Sequence, residues 1–137
     1  MKLITRDTDY ALRAICFIAQ DKDKLFSVSS LVKKLKIPGP FLRKLLQILR
    51  NKGVLSSSKG KGGGFSLSKN PKDILLWDIM KIFQGEFRLT ECFLQRKICP
   101  NIKSCALRKK IIKIEAIVVK KLKEISIDSL LNSQKRR

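Results

Sequence analysis

The sequence predicts a mainly α fold with a small β-hairpin wing: a winged helix-turn-helix followed by a long C-terminal dimerisation helix. Three observations predict it. Two short amphipathic stretches flank the breaker Lys36-Ile37-Pro38-Gly39, a glycine-rich hairpin follows them, and apolar residues at helical spacing run from position 107 to 125. Length fits: 137 residues make one domain, or one small domain with an appended element. With 44% hydrophobic and 31% charged residues, the chain can build a core and is no disordered basic tail.

Residues 9–20 read as the first helix, with Tyr10, Ala14, Phe17 and Ile18 at helical spacing. Ser27 suits the N-cap of a second helix carrying Val28, Leu31, Val32 and Leu35 on one side. Pro40 falls in the first turn of a third, where a missing N–H removes no intrahelical bond. That helix buries Leu42, Leu45, Leu46 and Leu49, and Gly53 stops it after Asn51-Lys52. Two short helices joined by a Pro/Gly turn, the second basic, form a helix-turn-helix pattern.

Residues 54–57 and 65–68 read as short strands joined through 58–64. Four glycines within positions 60–64 let backbone approach a neighbour closely. An NTPase phosphate loop is a poor match, because it needs Gly-Lys-Ser/Thr opening a helix, and here the glycines open a strand. A basic hairpin after a helix-turn-helix reads instead as a wing. A fourth helix over 75–83 turns Leu75, Leu76, Ile79, Met80 and Phe83 inward, adds Trp77 as an anchor, and ends at Gly85. The last helix, about residues 104–127, carries Leu107, Ile111, Ile114, Val118, Leu122 and Ile125 as one stripe, widened by Ile112 and Val119. A rod of about 36 Å is long for so small a domain, so a dimer interface is its economical use. The polar, basic tail over 132–137 is expected to fray.

Charge narrows the function. The chain has 31 Lys+Arg against 11 Asp+Glu, a formal net charge of +20. From Lys24 to Lys72 there are twelve basic residues and no carboxylate, and from Arg96 to Arg137 thirteen basic residues face Glu115, Glu124 and Asp128. Such a field favours a polyanion, and nucleic acid is the leading partner over a merely solvated lysine face. The chain has no His, which removes imidazole bases, Ser/His triads and Cys/His zinc sites, so enzymatic activity and a small-molecule substrate are not expected. No apolar run of membrane-spanning length occurs. Asp7, Asp9 and Arg13 spoil an export signal, so a cytoplasmic protein with reduced or metal-bound cysteines is expected.

Cys92, Cys99 and Cys105 cluster in a segment without clear periodicity, whereas Cys16 sits among Ala14, Ile15, Phe17 and Ile18 as an ordinary packing residue. Three readings of the cluster stay open. Structural zinc wants four Cys/His ligands and a short knuckle, neither present. A redox-sensing dithiol is a second reading. Iron–sulfur ligation fits best, since thiolates hold such clusters and the wide spacings suit a loop wrapping one.

At this point the chain resembles the Rrf-type winged-helix transcription regulators, the group that is IscR/NsrR/RirA-like. The resemblance rests on Met1-Lys2-Leu3 with Thr8-Asp9-Tyr10-Ala11-Leu12-Arg13-Ala14, on residues 37–49, on Gly53-Val54-Leu55, on the wing 60–67, on Asp78-Ile79 to Gly85, and on the three cysteines. It covers about residues 1–130. It implies a homodimer crossed by the long helices, a cluster loop near the dimer axis, and binding to operator DNA. IscR-like members place a His three residues beyond the third cysteine; this chain has Arg108 there. NsrR-like members are similar at Thr8-Asp9, whose Asp reaches the other subunit's cluster. That makes Asp9 the candidate fourth ligand and Asp7 a lesser one, against the plain reading of Asp9 as a helix cap. RirA-like members, with three cysteines and an open iron site, are the other comparison, and a 4Fe–4S cluster is favoured over 2Fe–2S.

The expected organisation is a DNA-binding winged helix-turn-helix over 1–85, a cluster loop over 86–104, and a dimerisation helix with basic tail over 105–137. The expected function is a cluster-dependent regulator, a repressor, reading iron, redox or nitric oxide status on double-stranded DNA. Pro38, Gly39, Pro40, Arg43 and Lys44 would enter the major groove, with Arg43 able to pair bidentately with guanine. Lys59 and Lys61 on the wing, with Lys33, Lys34 and Lys52 nearby, would hold phosphates or the minor groove. Two other classes stay open: a winged-helix regulator without iron that reads a metabolite, zinc or thiol oxidation, and a small cluster-carrying electron-transfer protein.

Overall fold

Helix α1 (Arg6–Ala19) begins at Thr5, whose hydroxyl accepts from the Thr8 amide at 3.4 Å, so it opens three residues before the expected Asp9. Thr8 is fully buried, and its hydroxyl meets that of Thr5 at 3.1 Å, which keeps this buried polar group bonded. The structure, a computed structural model, describes residues 2–90, 93–94 and 97–135. Along α1, Ala11, Ala14, Ile15 and Ile18 are fully buried and form the floor of the main core.

Ser27 caps α2 (Val28–Leu35) by accepting from the Ser30 amide at 3.2 Å, as its position predicts. The turn to α3 (Gly39–Asn51) is made by Lys36, which adopts the left-handed region at φ 56° while its amide bonds to the Val32 carbonyl at 2.9 Å. On α3 the four leucines 42, 45, 46 and 49 are buried, each contributing on the order of 1.5–3 kcal/mol by leaving water. Tyr10 and Phe41 meet edge-on with ring centroids 5.7 Å apart, tying α3 to α1.

The wing is an antiparallel pair, β1 (Leu55–Ser58) and β2 (Gly64–Leu67), with Leu55 opposite Leu67 and Ser58 opposite Gly64. Each strand lies one residue nearer the turn than the alternation indicates. Phe26, between α1 and α2, extends the sheet: its amide donates to the Phe65 carbonyl at 2.9 Å and its carbonyl accepts from the Phe65 amide at 2.8 Å. Gly64 makes this possible, because a Cβ there would stand 2.5 Å from the Phe26 oxygen. The neighbour that this glycine lets in is the chain itself.

A 3-10 turn (Pro71–Asp73) leads to α4 (Leu76–Gln84), which ends at Gly85 with φ 74°. Leu76 and Met80 join Leu122 in a second small cluster, flanked by Trp77 and Phe87 at 6.0 Å between centroids. The Gln84 side chain accepts from the Thr5 amide and donates to the Leu3 carbonyl, both at 3.0 Å, and so fixes the N-terminal strand of chain.

The C-terminal half corrects two expectations. The long helix is not continuous to residue 127: α5 is Ala106–Lys123, 18 residues or about 27 Å. The backbone leaves the helix at 124–126 because it pairs with the chain entering α4, Leu76 donating to the Ile125 carbonyl and Ile127 to the Ile74 carbonyl, both at 2.9 Å. The tail over 132–135 does not fray but belongs to α6 (Ile127–Lys135); Arg136 and Arg137 lie outside the described residues. Ser126 and Ser129 cap α6 reciprocally, each side-chain oxygen accepting from the other's amide, and Ile127 is fully buried in the main core. Within the cysteine segment, a minimal antiparallel hairpin pairs β3 (Phe93–Leu94) with β4 (Lys97–Ile98). Strands of two residues are too short to show alternation in the sequence.

Candidate nucleic-acid interface and thiol loop

The leucines that α3 buries leave Arg43 and Lys44 on its outer side, both exposed. Pro38 is the N-cap residue, Gly39 the first helical residue, and Pro40 stands exposed beside it. Lys33 and Lys34 are exposed on the last turn of α2, Lys52 at the end of α3, and Lys59 and Lys61 on the wing turn. The structure therefore gathers these ten positions on the helix-turn-helix and the adjoining wing. Among the described residues the ion pairs join Arg13 to Asp9, Arg88 to Glu86 and Glu115, and Lys121 to Glu124. None neutralises Lys33, Lys34, Arg43, Lys44, Lys52, Lys59 or Lys61.

The thiol loop is built at the start of α5. Cys105 is the N-cap of α5, its sulfur accepting from the Arg108 amide at 3.4 Å, while its own amide donates to the Asn101 carbonyl at 2.8 Å. The Cys99 carbonyl accepts from Ile102 at 3.1 Å, and the Arg108 guanidinium donates to the Ile102 carbonyl at 3.3 Å. Arg108 thus braces the loop. Cys99 and Cys105 are both half-buried free thiols, and Cys92 lies outside the described residues. Soft sulfur donors on one braced loop, with no imidazole in the chain, suit a thiolate-held iron–sulfur group in donor chemistry.

Asp9 is elsewhere. It lies on α1, 45% exposed, ion-paired with Arg13 at 3.0 Å, and Thr5 rather than Asp9 caps the helix. Asp7 is half-buried in the same first turn. Among the described residues no three Cys, Asp or Glu side chains gather around one point, so a single protomer does not bring Asp9 to Cys99 and Cys105. Cys16 packs against the main core, and burial pushes its thiol up.

Sequence reasoning missed Glu115. It is the single acid of α5, and its carboxylate, 16% exposed, accepts from the Leu89 amide at 3.0 Å and pairs with Arg88 at 3.3 Å. The signal was present: the residues three and four positions away, Ile111, Ile112, Val118 and Val119, are all apolar, so this acid has no partner on its own helix.

α5 also turns large apolar side chains outward. Leu107 is 68% exposed and Ile117 63%, with Ile112 and Ile114 at 42% and 50%. Among the described residues no helix is long and apolar enough to cross a membrane.

Fold and charge distribution define the class, a winged-helix transcription regulator. The family model of Rrf2, described as an iron-dependent transcriptional regulator, matches residues 4–133. The chain belongs to the Rrf2 family. A protein of Aquifex aeolicus (strain VF5), named as a candidate HTH-type transcriptional regulator, is 33% identical over 129 residues, 93% of this chain and 90% of that protein. NsrR of Bacillus subtilis (strain 168), an HTH-type transcriptional regulator, is 29% identical over 110 residues, 79% of this chain and 75% of its own length. Among solved structures, T. potens IscR superposes with a TM-score of 0.76 over 98% of this chain and 88% of that one, at 21% identity, a likeness of fold. Regulators of this family bind DNA.

Proposed function

We propose that this chain is a homodimeric repressor whose DNA binding depends on an iron–sulfur cluster and reports iron, redox or nitric oxide status. One observation carries the DNA half: seven exposed cations, Lys33, Lys34, Arg43, Lys44, Lys52, Lys59 and Lys61, share the helix-turn-helix and wing with no carboxylate paired to them among the described residues. In this reading the start of α3, Pro38 to Lys44, enters the major groove, Arg43 reads guanine, and the wing lysines hold phosphates.

Cys92, Cys99 and Cys105 would hold the cluster, with Asp9 of the second protomer as fourth ligand and 4Fe–4S favoured over 2Fe–2S. Such a group supplies chemistry sensitive to iron supply, oxygen and nitric oxide when bound. A negatively charged sulfur at Cys105 gains from the positive end of α5. Leu107, Ile112, Ile114 and Ile117, exposed in one protomer, are the surface a second α5 would cover. Because Cys105 opens α5, a change at the thiols is felt by the helix that sets the spacing of the two recognition helices. Half-sites about 34–36 Å apart tolerate little change in that spacing. The functional division over 1–85, 86–104 and 105–137 follows from the same reading.

Anaerobic purification with iron and sulfide analysis, a visible spectrum, and mobility shifts of loaded and stripped protein test both halves. Brown, iron-containing protein whose affinity for an operator fragment differs between the two states is expected; iron-free protein sinks the sensor, and indifference to all duplexes sinks the regulator. Arg43→Ala is expected to cost about 1–3 kcal/mol on the cognate site and little on random DNA. Lys61→Ala should weaken both and reduce the salt slope by about one unit.

A further inference from the structure

We infer that Glu115 is a positioning residue for the thiol loop, strapping the chain ahead of the cysteines onto the helix that Cys105 opens. The inference deepens the cluster reading and rests on it for its function, while its geometry stands on the contacts of Glu115 with Leu89 and Arg88. Two attachments hold the loop. Downstream, Cys105 is the N-cap of α5, with the Arg108 amide on its sulfur and the Arg108 guanidinium on the Ile102 carbonyl. Upstream, ten residues or about 15 Å further along the same helix, the two oxygens of Glu115 hold the Leu89 amide and the Arg88 guanidinium.

α5 contains seven basic residues, Arg108, Lys109, Lys110, Lys113, Lys120, Lys121 and Lys123, and one acid. That acid stands on the apolar side, between Ile111 and Val118, where a charge is costly unless paired. Among the described residues its partners come from the loop side: a backbone N–H and a guanidinium that itself reaches Glu86 and the Phe87 carbonyl. The effect is to fix both ends of residues 90–104 to one rigid rod. Fixed ends remove conformations in which the thiols stray apart, and so lower the entropy that must be lost when the thiols converge on a common centre.

The test uses the full chain in reduced, iron-free form and follows thiol labelling by a maleimide, mapped by mass to each cysteine, with Cys16 as the internal reference. Glu115→Ala is expected to speed labelling of Cys99 and Cys105 about three- to tenfold while Cys16 stays at the parent rate. Glu115→Gln, which keeps an acceptor for Leu89 but loses the charge facing Arg88, should fall between. In iron-loaded protein the same order is expected for loss of visible absorbance in air. Parent-like labelling in Glu115→Ala overturns the inference. If Cys16 accelerates as well, the whole fold has loosened, and Glu115→Gln and Arg88→Met then decide: faster Cys99 and Cys105 with steady Cys16 supports the strap, parent rates refute it. A parent protein that never takes up iron refutes the cluster reading, and the labelling series still judges Glu115.

Discussion

The N-terminal half and α5 are built from similar residue types and use them in opposite ways. In α1–α3, aliphatic side chains point inward and reach complete burial at Ile15, Ile18, Leu31, Leu42, Leu46 and Leu49, while Lys33, Lys34, Arg43 and Lys44 stand outside with no carboxylate paired to them among the described residues. In α5, only Leu122 is buried, and Leu107 and Ile117 are more than half exposed. The difference teaches what each surface is for. Unpaired cations around a finished core ask for a polyanion, whereas unburied leucine and isoleucine beside a finished core ask for more protein.

The largest expected effect breaks that contrast at α5. Replacing Leu107, Ile114 and Ile117 together by Ser should shift a dimer to monomer in sedimentation equilibrium, with a loss of about 5 kcal/mol or more from two copies of the patch. Helical content should hold. An unchanged mass would show that this face covers nothing.

Next comes the core of the other half. Leu46→Ala, at a fully buried site, is expected to lower unfolding free energy by about 2–5 kcal/mol in urea titration. Should its cost match that of a surface change, the packed half is looser than drawn.

Gly64→Ala sharpens the contrast within the wing. The new methyl would meet the Phe26 carbonyl at 2.5 Å, so about 1–3 kcal/mol of stability should be lost, with faster amide exchange at Phe26 and Phe65. Slow exchange at both in the variant would remove the steric argument.

The smallest effect is a pH dependence. Burial raises the Cys16 thiol, so the native protein keeps that proton at a pH where the unfolded chain has released it. Its contribution is complete below the ordinary thiol range and declines as pH rises through that range toward the native value. Cys16→Ala should flatten stability between about pH 8 and 10, read by chemical denaturation. A parent-like slope in the variant would assign the dependence to other groups.

Much of the fold was legible because its signals are local. Ser27 caps within one turn, the leucines of α3 repeat every three or four residues, and Pro40 and Gly53 bracket that helix. The basic positions of the candidate interface were legible for the same reason, since the residues that a helix buries dictate which ones it shows. The break after Lys123 was not legible from the apolar stripe, which continues through Ile125. The Ser126-x-x-Ser129 cap was a faint local hint that a second helix begins there, and Glu115 among apolar neighbours was a hint that something outside α5 pairs with it.

By itself, the sequence determined helix faces, caps, the hairpin and the run of uncompensated positive charge, all properties of neighbours along the chain. Only the tertiary structure decided that Ile125 and Ile127 give up helix continuity to bond with Leu76 and Ile74, that Phe26 joins the wing, and that Glu115 ties Leu89 to α5. Each is a backbone group meeting a partner about forty, fifty or twenty-six positions away. Periodicity cannot encode such meetings, because a hydrogen-bonding amide or carbonyl is present at nearly every residue and its partner is chosen by packing.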